Sequence, residues 1–142
     1  MVFNFVLGAI HYILYFIFAC WKQKRKWKTE ENCRQLFEEL FKKKFPSIFH
    51  PDIVNPNTGR KLQLDGYNKE LKIAFEYQGM QHYKFPNRWH RTEKDFKDQQ
   101  WRDEFKRNAC KNIGITLIEI PYTERNNLKS YIEEQLKIKK LI

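Results

Sequence analysis

Cysteine is scarce in this chain of 142 residues: Cys20, Cys33 and Cys110 are odd in number and far apart. Neither a disulfide framework nor a Cys-x-x-Cys zinc site is therefore suggested, and two buried thiols plus one in an apolar tail fit a reducing compartment. Negative charge is also in deficit, with 17 Asp and Glu against 27 Lys and Arg, a formal charge of +10 and a pI near 9.5. A surplus of that size points to polyanionic partners, because lysines and arginines that neutralise phosphates release counterions whatever the sequence. Nucleic acid heads that class, ahead of an acidic membrane surface. There is no internal repeat, and no low-complexity tract apart from the basic runs. The length suits one domain with a short appendage.

Charge is absent altogether from the first 21 residues, MVFNFVLGAIHYILYFIFACW, which run straight into KQKRKWK. The apolar run is long enough to cross a bilayer as a helix, which needs roughly 20 residues. A cleaved secretory signal carries its positive charges before the apolar stretch, and here they follow it. By the positive-inside rule the basic cluster would keep the remainder of the chain on the cytoplasmic side. The division expected is thus a hydrophobic N-terminal helix over 1–21 that could associate with a membrane, a basic linker over 22–28 and a folded domain over 29–142. A buried N-terminal helix or strand is the alternative for the first segment.

From Thr29 onward the pattern is that of a mixed α/β domain. Cys33, Leu36, Phe37, Leu40 and Phe41 recur at helical spacing, which predicts an amphipathic helix over 29–44 stopped by Pro46. HPDIVNPNTGRK is rich in Pro, Asn and Gly and is expected to be loop or turn. Two alternating strands follow, Lys61 to Tyr67 and residues 72–78, joined by NKEL as a hairpin. Thr92 opens a second helix with a Thr-x-x-Asp capping box and Gly114 stands just past its end. ITLIEI reads as a buried strand closed by Pro121, and Glu124 to Ile138 as a last amphipathic helix. The order predicts an α/β sandwich around a small mixed sheet.

On that hairpin Ile73, Phe75 and Tyr77 face one way and Glu76 and Gln78 the other. With Asn68 to Leu71 as the loop, Asp65 faces Ala74 and Glu76 is its diagonal neighbour, roughly 7 to 8 Å away. Two carboxylates with no lysine or arginine between them would repel, and a hard divalent cation resolves that. Such a cation polarises a phosphoryl group and activates water, as phosphodiester hydrolysis requires. The loop HYKFPNRWHR interleaves aromatic and basic side chains, among them Lys84, Arg88, Trp89 and Arg91, a mixture suited to stacking on bases and holding phosphates. The runs KKK at 42–44 and KIKK at 137–140 are solvated faces or the lining of a nucleic-acid groove.

Asp65, then Glu76-x-Gln78, then Gly79-x-x-His82 resembles the PD-(D/E)XK nuclease superfamily. Within it the chain is similar to the branch near very-short-patch repair endonucleases and their EDxHD homing relatives, whose strand reads roughly E-x-D-G-x-x-H. LQLDGYNKELKIAFEYQGMQHY also resembles nuclease-like proteins of large DNA viruses. The resemblance covers about 29–142. It implies a restriction-endonuclease-like three-layer sandwich and an endonuclease acting on DNA, with Asp65 and Glu76 as ligands of Mg²⁺ or Mn²⁺. Gln78 stands where that superfamily usually has lysine, or aspartate in the close branch, and glutamine brings neither a positive charge nor a base. His82 can supply general acid or base chemistry in its place. A further acidic residue from the first helix would be Glu30, whose helical phase matches Cys33 and Phe37 while Glu31 faces away. Asp103 on the second helix is a secondary candidate. Pro51-Asp52 spells the superfamily's name but falls in the turn-rich segment. Double-strand cutting with one such site would favour a homodimer. Two other classes fit the sequence: a nuclease-like fold that binds DNA without cutting it, and a membrane-associated interaction protein.

Overall fold

The strand Ile73–Gln78 is buried along its whole length, which requires cover on both of its faces. In the computed structural model, which describes residues 14, 15, 17, 28–87, 90 and 92–142, that cover comes from helices. The strands are β1 (Ile48–Val54), β2 (Lys61–Leu64), β3 (Gly66–Asn68), β4 (Ile73–Gln78) and β5 (Thr116–Pro121); the helices after the first are α2 (Glu93–Asn112) and α3 (Leu128–Ile138). The first, α1, is seen as helical residues 28–41. β3, β4 and β5 form a mixed sheet, antiparallel between β3 and β4 and parallel between β4 and β5, while β1 and β2 form a separate antiparallel ribbon. The chain is thus a mixed α/β protein with small sheets.

Alternation along β4 sorts the core in two. Ile73, Phe75 and Tyr77 join Cys33 and Phe37 of α1, Ile118 and Ile120 of β5, and Leu128, Ile132 and Leu136 of α3. Phe37 stacks on Phe75 with ring centroids 4.8 Å apart. Ala74 faces the other side, with Cys110 of α2, Ile53 of β1 and Leu64 of β2. Helices therefore lie on both faces of the sheet, α1 and α3 on one and α2 on the other. The capping box of α2 forms as the sequence predicts, Thr92 Oγ1 accepting from Asp95 N and Asp95 Oδ2 from Thr92 N. Gly114 follows that helix with φ of 72°, the left-handed conformation that costs glycine least.

Three local expectations are corrected. Residues 48–54 form strand β1, not loop: Ile53 is fully buried, and the pairing with β2 shifts register between Phe49 and Val54. Pro51 is tolerated within that irregular stretch of an edge strand, so Pro51-Asp52 lies in β1. The true turn is 55–60, where Gly59 N bonds Asn55 O at 2.8 Å. Next, the expected strand Lys61 to Tyr67 is split by a bend at Asp65, β2 pairing with β1 and β3 with β4. Last, the β3–β4 connection is Lys69 to Lys72, with Asn68 Oδ1 accepting from Leu71 N at 2.9 Å and Lys72 at φ 53°. Asn68 consequently pairs with Ile73 and Gly66 with Phe75. The register differs from the expected one by two residues, so every side chain keeps its face and only the partners change.

Among the described residues no helix is long and apolar enough to cross a membrane. Apart from Leu14, Tyr15 and Ile17, the segment 1–21 lies outside the described residues, as does 22–27.

Candidate active site

Continuing the β3–β4 register places Asp65 directly opposite Glu76, closer than the diagonal expected from sequence. Each carboxylate is tied to the other's strand: Asp65 N donates to Glu76 Oε1 at 3.3 Å, and Tyr77 N donates to Asp65 Oδ2 at 2.9 Å. The residue after the bend is sterically constrained. A Cβ on Gly66 would fall 2.0 Å from Cε1 of Phe75, so glycine is required there for the Phe75 ring to lie across the strand. The Asp-Gly pair is thus fixed by packing as well as by turn chemistry.

Glu76 is only 9% exposed. Burial pushes its carboxyl up to about 7, against the pull of the Lys106 ammonium. Lys106 is the residue the sequence did not offer. It projects from α2 with Nζ 2.9 Å from Glu76 Oε2 and donates to the Gln63 carbonyl at 2.7 Å. The expectation of no cation beside the carboxylates is therefore corrected. The signal was present in helical phase, since Lys106 stands three residues after Asp103 and four before the buried Cys110.

Gln78 is buried and its amide is committed at both ends. Its Nε2 donates to Glu119, and Tyr83 OH donates to its Oε1 at 2.7 Å. Glu119 is the second residue the sequence reading passed over. It pairs with Glu76 in the parallel β4–β5 register, so one face of three adjacent strands carries Asp65, Glu76 and Glu119 in a row. Arg107 of α2 holds Glu119 at 3.0 Å. An acidic residue inside the apolar run ITLIEI was the available clue. Burial, with Glu119 next, pushes the Tyr83 phenol up to about 12, so it stays a donor to Gln78.

His82 lies in the short turn of helix Met80–His82. Its Nδ1 is 2.7 Å from Asp103 Oδ2, and Gln99 Nε2 donates to Asp103 Oδ1 at 2.8 Å. His82 and Asp103, both candidates from sequence, are thus brought together through Nδ1, which leaves Nε2 as the ring's second proton-transfer atom. Asp103 and Lys106 are three residues apart on α2, about 4.5 Å along its axis, so His82 and Glu76 are gripped at neighbouring positions of one helix face.

Glu30 has the inward phase expected of it, with its side chain 21% exposed against 54% for Glu31. It pairs with Arg34 at 3.5 Å. Glu30 and Asp65 both act on the buried Cys33 thiol, which burial first and then these two carboxylates push up to about 12. Lys84 is exposed. Arg88, Trp89 and Arg91 lie outside the described residues. His90 is a packing residue: its N donates to Asn87 Oδ1 at 2.9 Å and its ring meets Phe96 edge-on. Among the described residues no group of three or more His, Cys, Asp or Glu is arranged as a ready-made metal site.

The chain is 43% identical over 116 residues to the uncharacterized protein 094L of Frog virus 3 (isolate Goorha), a match covering 81% of this chain and 74% of that one. It is 40% identical over 96 residues to the uncharacterized protein 033L of Invertebrate iridescent virus 3, covering 68% of this chain and 50% of that one. To the uncharacterized protein 307L of Invertebrate iridescent virus 6 it is 39% identical over 123 residues, covering 76% and 62%. The chain therefore spans half to under two thirds of the length of the latter two. No family model and no solved structure matches it. With 74% of 094L covered at 43% identity, this chain belongs to the viral protein family that 094L represents.

Proposed function

We propose that this protein is a metal-dependent endonuclease that hydrolyses DNA phosphodiester bonds, built on a restriction-endonuclease-like form of its α/β fold. The observation that carries the proposal is the Asp65–Glu76 pair: two carboxylates directly opposed on one face, one of them buried in surroundings that oppose its ionisation. The donor set fits Mg²⁺ or Mn²⁺, which take hard oxygens and complete a site of one or two carboxylates with water and substrate phosphate oxygens. Tyr77 N holds Asp65 through Oδ2 and Lys106 Nζ meets Glu76 at Oε2. When bound, the ion would polarise the phosphoryl group and acidify water.

The protein's own groups account for the rest. Lys106 brings the positive charge that Gln78 lacks, and its ammonium, held between Glu76 and the Gln63 carbonyl, is positioned to stabilise charge developing on a phosphate oxygen. His82, its Nδ1 oriented by Asp103, offers Nε2 as the proton-transfer atom toward water or the leaving oxygen. Gln78, bonded at one amide end to Glu119 and at the other to Tyr83, is a positioning residue that holds the strand end and the turn to His82. The 142-residue chain with Mg²⁺ should nick supercoiled plasmid, and Glu76→Ala should not; equal cutting by both preparations refutes the proposal.

The commitment of Gln78 at both ends also supports a second reading, a nuclease-like fold that binds DNA without cutting it. Metal separates the two. A catalytic site gives divalent-dependent thermal stabilisation that disappears in Asp65→Asn, whereas a pure binder responds to salt alone.

A further inference from the structure

Beside the Glu76 face lies a cleft of about 430 Å³ between α2, β5 and the end of α3. Three cations reach it from two elements: Arg107 and Lys111 from α2, and Lys139, from the KIKK run, at the C-cap of α3. Glu119 is the one carboxylate in the lining among the described residues, and its charge is already used by Arg107 at 3.0 Å and by the Gln78 amide. Lys111 and Lys139 are exposed and have no ion-pair partner among the described residues. Among the described residues β5 pairs only with β4, so the cleft runs along a strand edge left open among them, and Thr116 N points inward to Lys72 O at 2.8 Å. Alternation then turns the Leu117 N–H outward into the cleft. One step further the edge is covered, since Tyr131 OH donates to Glu119 O at 3.2 Å.

We infer that this cleft is a phosphate-binding subsite, which receives the backbone of the nucleic-acid strand as it leaves the Glu76 site. Cationic side chains around outward backbone N–H groups are what a phosphodiester seeks. Arg107 joins the two places, because it borders the cleft while holding the carboxylate that anchors Gln78. The inference rests on the nuclease proposal for its choice of ligand. The competing explanation is that Lys111 and Lys139 guard an edge strand against pairing with a second chain, a common use of lysine.

The test uses the full chain in a Glu76→Gln background, so that the strand stays intact, with a short labelled duplex and its single strand as probes. Lys111→Gln/Lys139→Gln is compared with a charge-matched control at exposed lysines outside the cleft and outside the basic runs, Lys61→Gln/Lys129→Gln. Loss of two phosphate contacts should lower the slope of log K against log salt by about 1.8 for duplex and weaken binding at 0.1 M salt by about 10- to 60-fold. The control should stay near the parent. Equal weakening by both pairs overturns the cleft in favour of diffuse charge, and unchanged binding with new oligomers in the cleft variant overturns it in favour of edge protection. Selective loss of binding in the cleft variant supports the subsite even if wild type fails to cut plasmid, which would refute only the nuclease proposal. Cutting by wild type with unchanged binding by the cleft variant does the reverse.

Discussion

Replacing Glu76 by glutamine isolates the electrostatic state of the buried carboxylate. In the metal-free fold its pKa rises from 4.5 to about 7, because burial outweighs the attraction of Lys106. A carboxyl whose folded pKa is raised contributes stability that is fully present below the unfolded value and is lost as pH climbs through the folded one. The window is therefore pH 4.5 to 7, where the fold holds a proton that the unfolded chain has released. Two and a half units at 1.36 kcal/mol each amount to roughly 3 kcal/mol. The substituted amide does not titrate, and any cost of leaving Lys106 with only the Gln63 carbonyl is constant over this range. In chelator, the stability difference between wild type and Glu76→Gln, taken from urea melts, should therefore fall by roughly 3 kcal/mol from pH 4 to 8. Adding Mg²⁺ at pH 7.5 should restore wild type alone, by about 2.7 kcal/mol at a hundredfold excess over Kd. A flat difference, or one that grows with pH, would mean that Lys106 keeps Glu76 ionised and that the carboxylate is a structural ion-pair partner.

The other expectations concern packing, the histidine pair and the thiols. Gly66→Ala should destabilise by about 3 kcal/mol, because its Cβ would enter the Phe75 ring, a case of overpacking; Phe75→Leu in the same chain should recover part of the loss in urea melts. His82→Ala should lower plasmid nicking by about 10²- to 10⁴-fold with Kd for DNA unchanged. Asp103→Asn should cost less and shift the pH profile of cleavage, whereas a packing role for the pair would lower melting temperature and leave the profile alone. Cys33, raised to about 12, and Cys110, raised to about 11, should be alkylated at pH 8 at least about a hundredfold more slowly than in the unfolded chain. Peptide mapping after a timed iodoacetamide pulse gives the answer, and fast labelling of either contradicts its burial.

Much of the framework was legible because it is written in local periods. The 3.6-residue recurrence from Cys33 to Phe41, the two-residue alternation of Ile73, Phe75 and Tyr77, and the Thr92 box each report on neighbours in sequence. β1 escaped because His50, Pro51 and Asn55 carry the composition of a loop, while what makes it a strand is its pairing with β2 and the burial of Ile53 against Leu64 and Ala74. The hairpin register escaped for a related reason: the left-handed conformation of Lys72 decides where the turn closes, and no residue type announces it. Asp65 and Glu76 could be picked as a pair because faces survive a two-residue slip. Their separation could not.

What the sequence determined by itself is therefore the inventory and its sides: a basic α/β chain with Asp65, Glu76 and Gln78 on one face of a hairpin, His82 after it, and Asp103 on the inward phase of the next helix. What only the tertiary structure decided is who meets whom. The packing of α2 across the sheet sets Lys106 on Glu76, Arg107 on Glu119 and Asp103 on His82, and the parallel β4–β5 register sets Glu119 beside Glu76. Charge complementarity between a helix face and a sheet face depends on where the two surfaces come into contact, and that is fixed by the apolar residues on both, not by the charged residues themselves.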